Sequence, residues 1–332
     1  MPPITRKGQY CAPGRGKHGH SCFTLPELRR IASTWNRTHP ESSIPVHRHR
    51  SGGELWHDID NKMKSECNNE ICWTESSSLV HANPDLRRDV TKQSFRPVAP
   101  ISWRTNPTEW LSTLDIHAVM KQYEYANTKF KFIGAVPVDF ASPHDSGRMG
   151  QCVVQELCSI NVKNWLKRGI HRMGIVFNMD AHDEPGSHWT SLYTDFDANI
   201  VLYYDSFGDR APPEVQVLMR TLSKQLETFH DTAATMRINE QRHQFQNTEC
   251  GIYSMYFIVS MLQYRNAGYE NVIDAYTSFM QDGLTDKQMT RYRKVFFRTL
   301  YDSTTKEPSR RLVGGGRSRK RTRSHKRLKR KS

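Results

Sequence analysis

QFQNTECGIYSMYFIVSML, residues 244–262, sets a thiol and a glycine at the head of a run that is otherwise mostly apolar. Ile252, Met255, Tyr256, Val259 and Leu262 recur at helical spacing, so residues 251–263 read as a buried helix. Thr248 or Asn247 can cap it, which puts Cys250 in the first turn. There the unpaired amides and the positive end of the helix macrodipole stabilise a thiolate. Gly251 removes a side chain next to the sulfur and lets a substrate backbone approach. Gln244, six residues earlier, can aim its side-chain amide at the same region and, with the Cys250 backbone N–H, form an oxyanion hole. Asn247 competes for that donor role.

A proton acceptor for the thiol must come from elsewhere in the chain. Residues 188–194 (HWTSLYT) and 199–206 (NIVLYYDS) are β-branched and aromatic and read as two strands of a hairpin. With DFDA (195–198) as a four-residue loop, Thr194 faces Asn199 and the register sets His188 opposite Asp205. Opposed residues have Cβ atoms about 4.5–5.5 Å apart. The carboxylate can then accept one imidazole N–H and fix the ring, leaving the other nitrogen to take the thiol proton. A slip of one residue would send the two side chains to opposite faces.

A chain of 332 residues can hold a catalytic domain with appendages. The formal charge is +14, but residues 317–332 (RSRKRTRSHKRLKRKS) contain ten Lys or Arg and no acid, which leaves 38 basic against 34 acidic residues elsewhere, or +4. Such a self-repelling segment reads as a solvated, disordered tail. It could meet DNA phosphates, a nuclear import receptor or an acidic protein surface. The most apolar stretch, residues 252–262, is too short to span a bilayer and the amino terminus lacks an apolar signal core, so a soluble, non-secreted protein is expected. Seven irregularly spaced cysteines in such a chain argue against a disulfide framework. Cys11, Cys22, Cys67 and Cys72, with His18 and His20, include no CxxC pair and read as structural or incidental rather than as zinc ligands.

Three regions follow. Residues 1–99, rich in Gly, Pro, Ser, His and Asn, form a small loop-rich accessory domain with one clear helix at 25–36, capped by Thr24 and with Pro26 in its first turn. Residues 100–305 form the catalytic domain, and 306–332 the tail. Within the catalytic domain a helix is expected over 110–123, with Leu111, Leu114, Ala118 and Val119 on its apolar side. Strands are expected at 130–140 with an interruption at Pro137, at 174–178, in the hairpin and at 235–238. Further helices are expected after Pro212-Pro213, with Leu218, Leu222, Leu226 and Phe229 buried, and at 286–300. This is an α+β fold with a mixed sheet rather than regular βαβ alternation.

The chain order His188, Asp205, Gln244, Cys250 resembles the cysteine proteases of the ubiquitin-like (SUMO) protease and adenovirus protease class. Within that class GIVFNMDAHDEPGSHW, HQFQNTECGIYSMYFI and LTDKQMTRYRKVFFR look like segments of the polyprotein-processing protease of African swine fever virus and its relatives in other large DNA viruses. SCFTLPELRRIASTWN and the Cys67-x4-Cys72 pair look like what those enzymes carry ahead of the protease core. The resemblance implies His188 as general base, Asp205 as its orienting partner, Cys250 as nucleophile and Gln244 as oxyanion donor, with no metal or organic cofactor. It also implies substrate contacts for Trp189, Trp110 and Asn178, the two tryptophans covering a narrow slot for a Gly-Gly backbone. Cleavage after Gly-Gly in viral structural polyproteins during virion maturation would follow, in virions and host cytoplasm, with nuclear entry open through the tail. Two alternatives stand beside it: a SUMO or ubiquitin-like deconjugase, and an inactive virion protein that binds DNA through residues 317–332.

Overall fold

A computed structural model describes residues 10–16, 21–46, 51–67, 69–143 and 151–299. The basic tail, His18 and His20 lie outside the described residues. Five strands, β1 (Phe130–Pro137), β2 (Arg172–Asn178), β3 (Trp189–Asp195), β4 (Ile200–Tyr204) and β5 (Thr235–Ile238), form one sheet in sequence order. The β1–β2 and β4–β5 pairs are parallel, and the β2–β3 and β3–β4 pairs are antiparallel. The sheet is therefore mixed, and the fold is α+β as the composition implies.

Alternation along the strands feeds two cores. Tyr193, Leu202 and Tyr204 point to one face, where they meet the helices Thr113–Ala126, Cys250–Leu262, Val272–Gln281 and Asp286–Phe296. Leu192, Val201 and Tyr203 point to the other, against the helix Pro213–His230 and Trp165 of the short helix Val162–Lys167. All but one residue of the helix Cys250–Leu262 are buried. A helix apolar all round can sit only between layers, and this one lies along β3 with other helices at its back.

Two apolar faces differ from expectation. The helix expected over 110–123 runs Thr113–Ala126, opened by a capping box in which Ser112 and Asp115 exchange hydrogen bonds. Leu111 is buried ahead of it, Leu114 is 79% exposed, and the buried stripe is Ile116, Val119, Met120 and Tyr123. The face turned to the core is centred on Val119 and Met120, which leaves both Leu114 and Ala118 on the outside. Phe229, in the last turn of Pro213–His230, is 52% exposed because the buried stripe of that helix ends at Leu226.

The amino-terminal part is more helical than its composition suggests. The helix Leu25–Thr38 is joined by Gly52–Met63, Glu70–Glu75 and Ser77–Ala82, whose first turns are capped by the side chains of Ser51, Asn69 and Ser76. Leu28, Ile31, Leu55, Ile59 and Trp73 build its own core. The expectation against disulfides is corrected: Cys11–Cys22, Cys67–Cys72 and Cys152–Cys158 are bonded, leaving Cys250 as the free cysteine. Short separations of 11, 5 and 6 residues make these local staples rather than a long-range framework. They also consume the four thiols weighed as zinc ligands. No helix among the described residues is long and apolar enough to cross a membrane.

The hairpin register is shifted by two residues from the expected one: Asp195 faces Ile200 and Thr194 faces Val201, so the loop is residues 196–199. Asp195 stays in β3 because its carboxylate, 1% exposed, takes the Arg172 guanidinium at 2.7 Å across the strand pair. The same carboxylate accepts the Asp197 and Ala198 amides of the loop, and Asn199 supplies the left-handed turn at φ 57°. Replacing Asp195 with Ala should cost about 2–3 kcal/mol, since it strands a cation and two loop amides. Asp195→Asn, which keeps an acceptor for the amides, should cost less. Urea titration of the two variants measures the difference, and equal midpoints would refute this account of the turn.

Candidate active site

The two-residue shift preserves parity, so His188 and Asp205 remain on one face and meet diagonally rather than directly. His188 stands just before β3 and Asp205 just after β4. The His188 Nε2 to Asp205 Oδ1 distance is 2.7 Å, with side-chain exposures of 14% and 3%. The Asp205 carboxylate also accepts the Phe207 amide at 2.8 Å. Its backbone is gripped by Asn239, which accepts the Asp205 N–H and donates to the Asp205 carbonyl, both at 2.7 Å. The ring of Phe207, two residues beyond the carboxylate, stacks on the imidazole at 4.5 Å and 14°. The imidazole is thus fixed in its plane by an acid and over its face by a ring.

Cys250 is the first residue of the helix Cys250–Leu262 and is 3% exposed. Its thiol is near enough to the His188 ring to raise the basicity of the imidazole. With Nε2 committed to Asp205, Nδ1 is the nitrogen left for the sulfur. Burial opposes the imidazolium, but the interactions with Asp205 and Cys250 outweigh it, and His188 is pushed up to about 9. At neutral pH the ring therefore favours its charged form, the state that pairs with a thiolate.

What brings the sulfur to the ring is a tight seam between helix and strand. Ser254, one turn after Cys250, donates its hydroxyl to the Trp189 carbonyl at 3.0 Å, next to His188 in the chain. A Cβ on Gly251 would lie 3.0 Å from Leu111 Cδ1 and 3.3 Å from Trp189 Cδ1, so the helix starts as close to these side chains as a glycine allows. Trp189 is buried and donates its indole N–H to the Leu111 carbonyl at 3.1 Å. Trp110 is 43% exposed, and its indole N–H donates to the Asn247 carbonyl, three residues before the thiol. The two indoles therefore lie beside the loop and the first helical turn that carry Cys250.

Gln244 is fully buried. Its side-chain oxygen accepts the Ser206 hydroxyl at 2.7 Å, and one side-chain N–H goes to the Gln246 carbonyl. One N–H of the amide remains for other use. Asn178 faces Trp189 in the β2–β3 register, and its side-chain oxygen accepts the Asp180 amide at 3.2 Å. It fills the space over Gly186, where a Cβ would come within 2.3 Å of its side-chain nitrogen. Asn178 so braces the loop that delivers His188.

One element had no place in the sequence reading. Arg293, 3% exposed in the helix Asp286–Phe296, places its Nε 2.8 and 3.0 Å from the two carboxylate oxygens of Glu249, the residue before the nucleophile. Its other nitrogens donate to the Glu109 carbonyl at 2.8 Å and the Thr248 carbonyl at 3.1 Å, and its face lies 4.5 Å from the Trp103 ring. Burial holds the Glu249 carboxyl above its usual range even though Arg293 pulls it down. One guanidinium therefore ties the segment carrying Trp110 to the loop carrying the thiol. The sequence does hold a signal for it: Arg293 falls four residues after Met289 and three before Phe296, on the buried stripe of its helix.

These features define a cysteine peptidase of α+β fold, with an imidazole bonded to a carboxylate and near a helix-terminal thiol. Residues 209–311, which include Gln244 and Cys250, match the family of the Vaccinia virus I7 processing peptidase. The chain is similar to R355 of Acanthamoeba polyphaga mimivirus, named provisionally as a thiol protease, at 26% identity over 302 residues, covering 87% of this chain and 93% of that one. It is also similar to a cysteine protease of African swine fever virus (isolate Tick/Malawi/Lil 20-1/1983), at 27% identity over 253 residues, 74% of this chain and 88% of the relative. A crystal structure of the African swine fever virus protease shares the fold, with a TM-score of 0.58 at 22% identity over 89% of this chain and 98% of that one.

Two measurements test this geometry. Arg293→Ala leaves a buried carboxylate without its partner and should destabilise the fold by about 3–5 kcal/mol. Adding Glu249→Gln should recover part of that loss, and no recovery in denaturant titration would mean the pair is not what fails. His188 rises from 6.5 to about 9 on folding, so its stabilising contribution is complete below pH 6.5 and is lost as pH rises through about 9. The stability advantage of wild type over Asp205→Asn should shrink across that window, and an advantage that grows with pH would contradict the assignment.

Proposed function

We propose that this chain is an endopeptidase that cleaves after Gly-Gly in viral structural polyproteins during virion maturation, acting in virions and host cytoplasm. The observation that carries the reading is the His188 ring bonded to the Asp205 carboxylate, with its basicity raised by that bond and by the Cys250 thiol at the start of the buried helix. In this mechanism the Cys250 thiolate attacks the scissile carbonyl, and the oxyanion is met by the Cys250 amide and the remaining Gln244 N–H. His188 gives its proton to the leaving amine, and then takes one from the water that hydrolyses the thioester, restoring the thiol–imidazole pair. The atoms balance with water alone as co-reactant.

The preference for glycine is supported by space. Gly251, Leu111 and Trp189 are in close contact beside the sulfur, and Trp110 covers the loop before it. A backbone without side chains is what such an approach would admit. The family matched by residues 209–311 is named for processing, which favours polyproteins. The name SUMO-1 cysteine protease, carried by the relative from the African swine fever virus isolate Pig/Kenya/KEN-50/1950, keeps a folded ubiquitin-like substrate as the second reading.

Turnover of Gly-Gly-X peptides should vanish in Cys250→Ala and His188→Ala and fall by roughly 10²–10⁴-fold in Asp205→Asn. Persistent cleavage in either of the first two would end the mechanism. A full-length SUMO precursor cleaved faster than the peptides would select the second reading.

A further inference from the structure

The stack that covers the imidazole does not end at Phe207. The guanidinium of Arg242 lies 5.1 Å from the Phe207 ring and 5.3 Å from the ring of Phe245, so it contacts the faces of both phenyl rings. Its Nε donates to the Gln244 carbonyl at 2.7 Å, which fixes the plane of the group. Gly208, at φ 78°, lets the chain after Phe207 press against the backbone of residues 240–242: a Cβ there would lie 3.0 Å from the Arg242 nitrogen. Arg242 is exposed, Phe245 is 71% exposed, and the two terminal nitrogens of Arg242 have no protein partner among the described residues. A long flexible cation held in one plane by two rings and a carbonyl, with its paired N–H edge turned to solvent, is prepared for a planar anion.

Its position says where that anion would come from. His188 hands its proton to the leaving amine, so the substrate chain beyond the cut passes the imidazole. Arg242 stands two stacked layers away, on the order of 10 Å, which an extended chain covers in about three residues.

We propose that Arg242, held against Phe207 and Phe245, forms a subsite for a carboxylate side chain carried by the second or third residue after the scissile bond. The inference rests on the peptidase reading above and adds to it a charge preference on the leaving side. The guanidinium would receive the carboxylate through two parallel N–H bonds, with the rings holding the arginine in place before the substrate arrives.

The test is a matched set of peptides sharing one Gly-Gly sequence, with Glu, Gln or Lys at the second and third positions after the cut, cleaved by the full-length chain. For wild type, kcat/KM on the Glu peptide should exceed that on the Gln peptide by roughly tenfold, and the excess should shrink as salt rises. The Glu-to-Gln ratio should fall to about one in Arg242→Gln, and Arg242→Glu should prefer the Lys peptide. Because each ratio is taken within one enzyme, loss of folded protein cancels. Cleavage of all three peptides by wild type with no charge preference, or a preference retained in Arg242→Gln, overturns the subsite and leaves the peptidase standing. Failure to cleave any of them overturns both.

Discussion

The site depends on how one helix lies along one strand. His188 is set by β3 and Cys250 by the helix Cys250–Leu262, and they meet because Ser254 is hydrogen-bonded to the Trp189 carbonyl while Gly251 sits against Leu111 and Trp189. Sliding the helix by one residue would move the sulfur about 1.5 Å along its axis and turn it by roughly 100°. Reach to the imidazole would then be lost. The buried length of this helix is the anchor: with nearly every residue enclosed, the cost of sliding is the cost of repacking the core it fills.

Around that seam, charge is used in two ways. At the reacting atoms, a carboxylate and a thiol raise the basicity of one ring. Behind them, Glu249 and Arg293 neutralise each other out of solvent, and the guanidinium also satisfies two loop carbonyls. A buried pair contributes little net stability against an apolar substitute. What it does here is fix three separate segments with one planar group, which a hydrocarbon side chain could not do.

Much of this was legible in the residues because each piece obeys a local rule. An apolar run with helical period headed by Cys-Gly predicts a buried helix with the thiol at its positive end, and the strands follow from β-branched and aromatic content. The hairpin expectation was off by two residues and still paired the right side chains, because strand faces repeat every two. What propensity did not carry was tertiary: Asp195 remains in its strand on account of Arg172, a residue 23 positions earlier. Leu114 and Phe229 fit helical spacing yet are exposed, since spacing gives a stripe but not where the neighbouring layer ends. The three disulfides were missed because sequence separation alone does not bring sulfurs together. The short amino-terminal helices were missed because their caps sit in Gly-, Ser- and Asn-rich stretches that also read as loop.

The placement of Arg293 gives the chain an order of assembly. It belongs to the last helix among the described residues, whereas the thiol and the imidazole are made 43 and 105 residues earlier. Until that helix emerges and docks, Glu249 has no cation and the loops bearing Thr248 and Glu109 have no common tether. A nascent or truncated chain therefore carries the reactive groups without the brace that aligns them. The reactive groups are therefore present in the chain before the helix that braces them has been made.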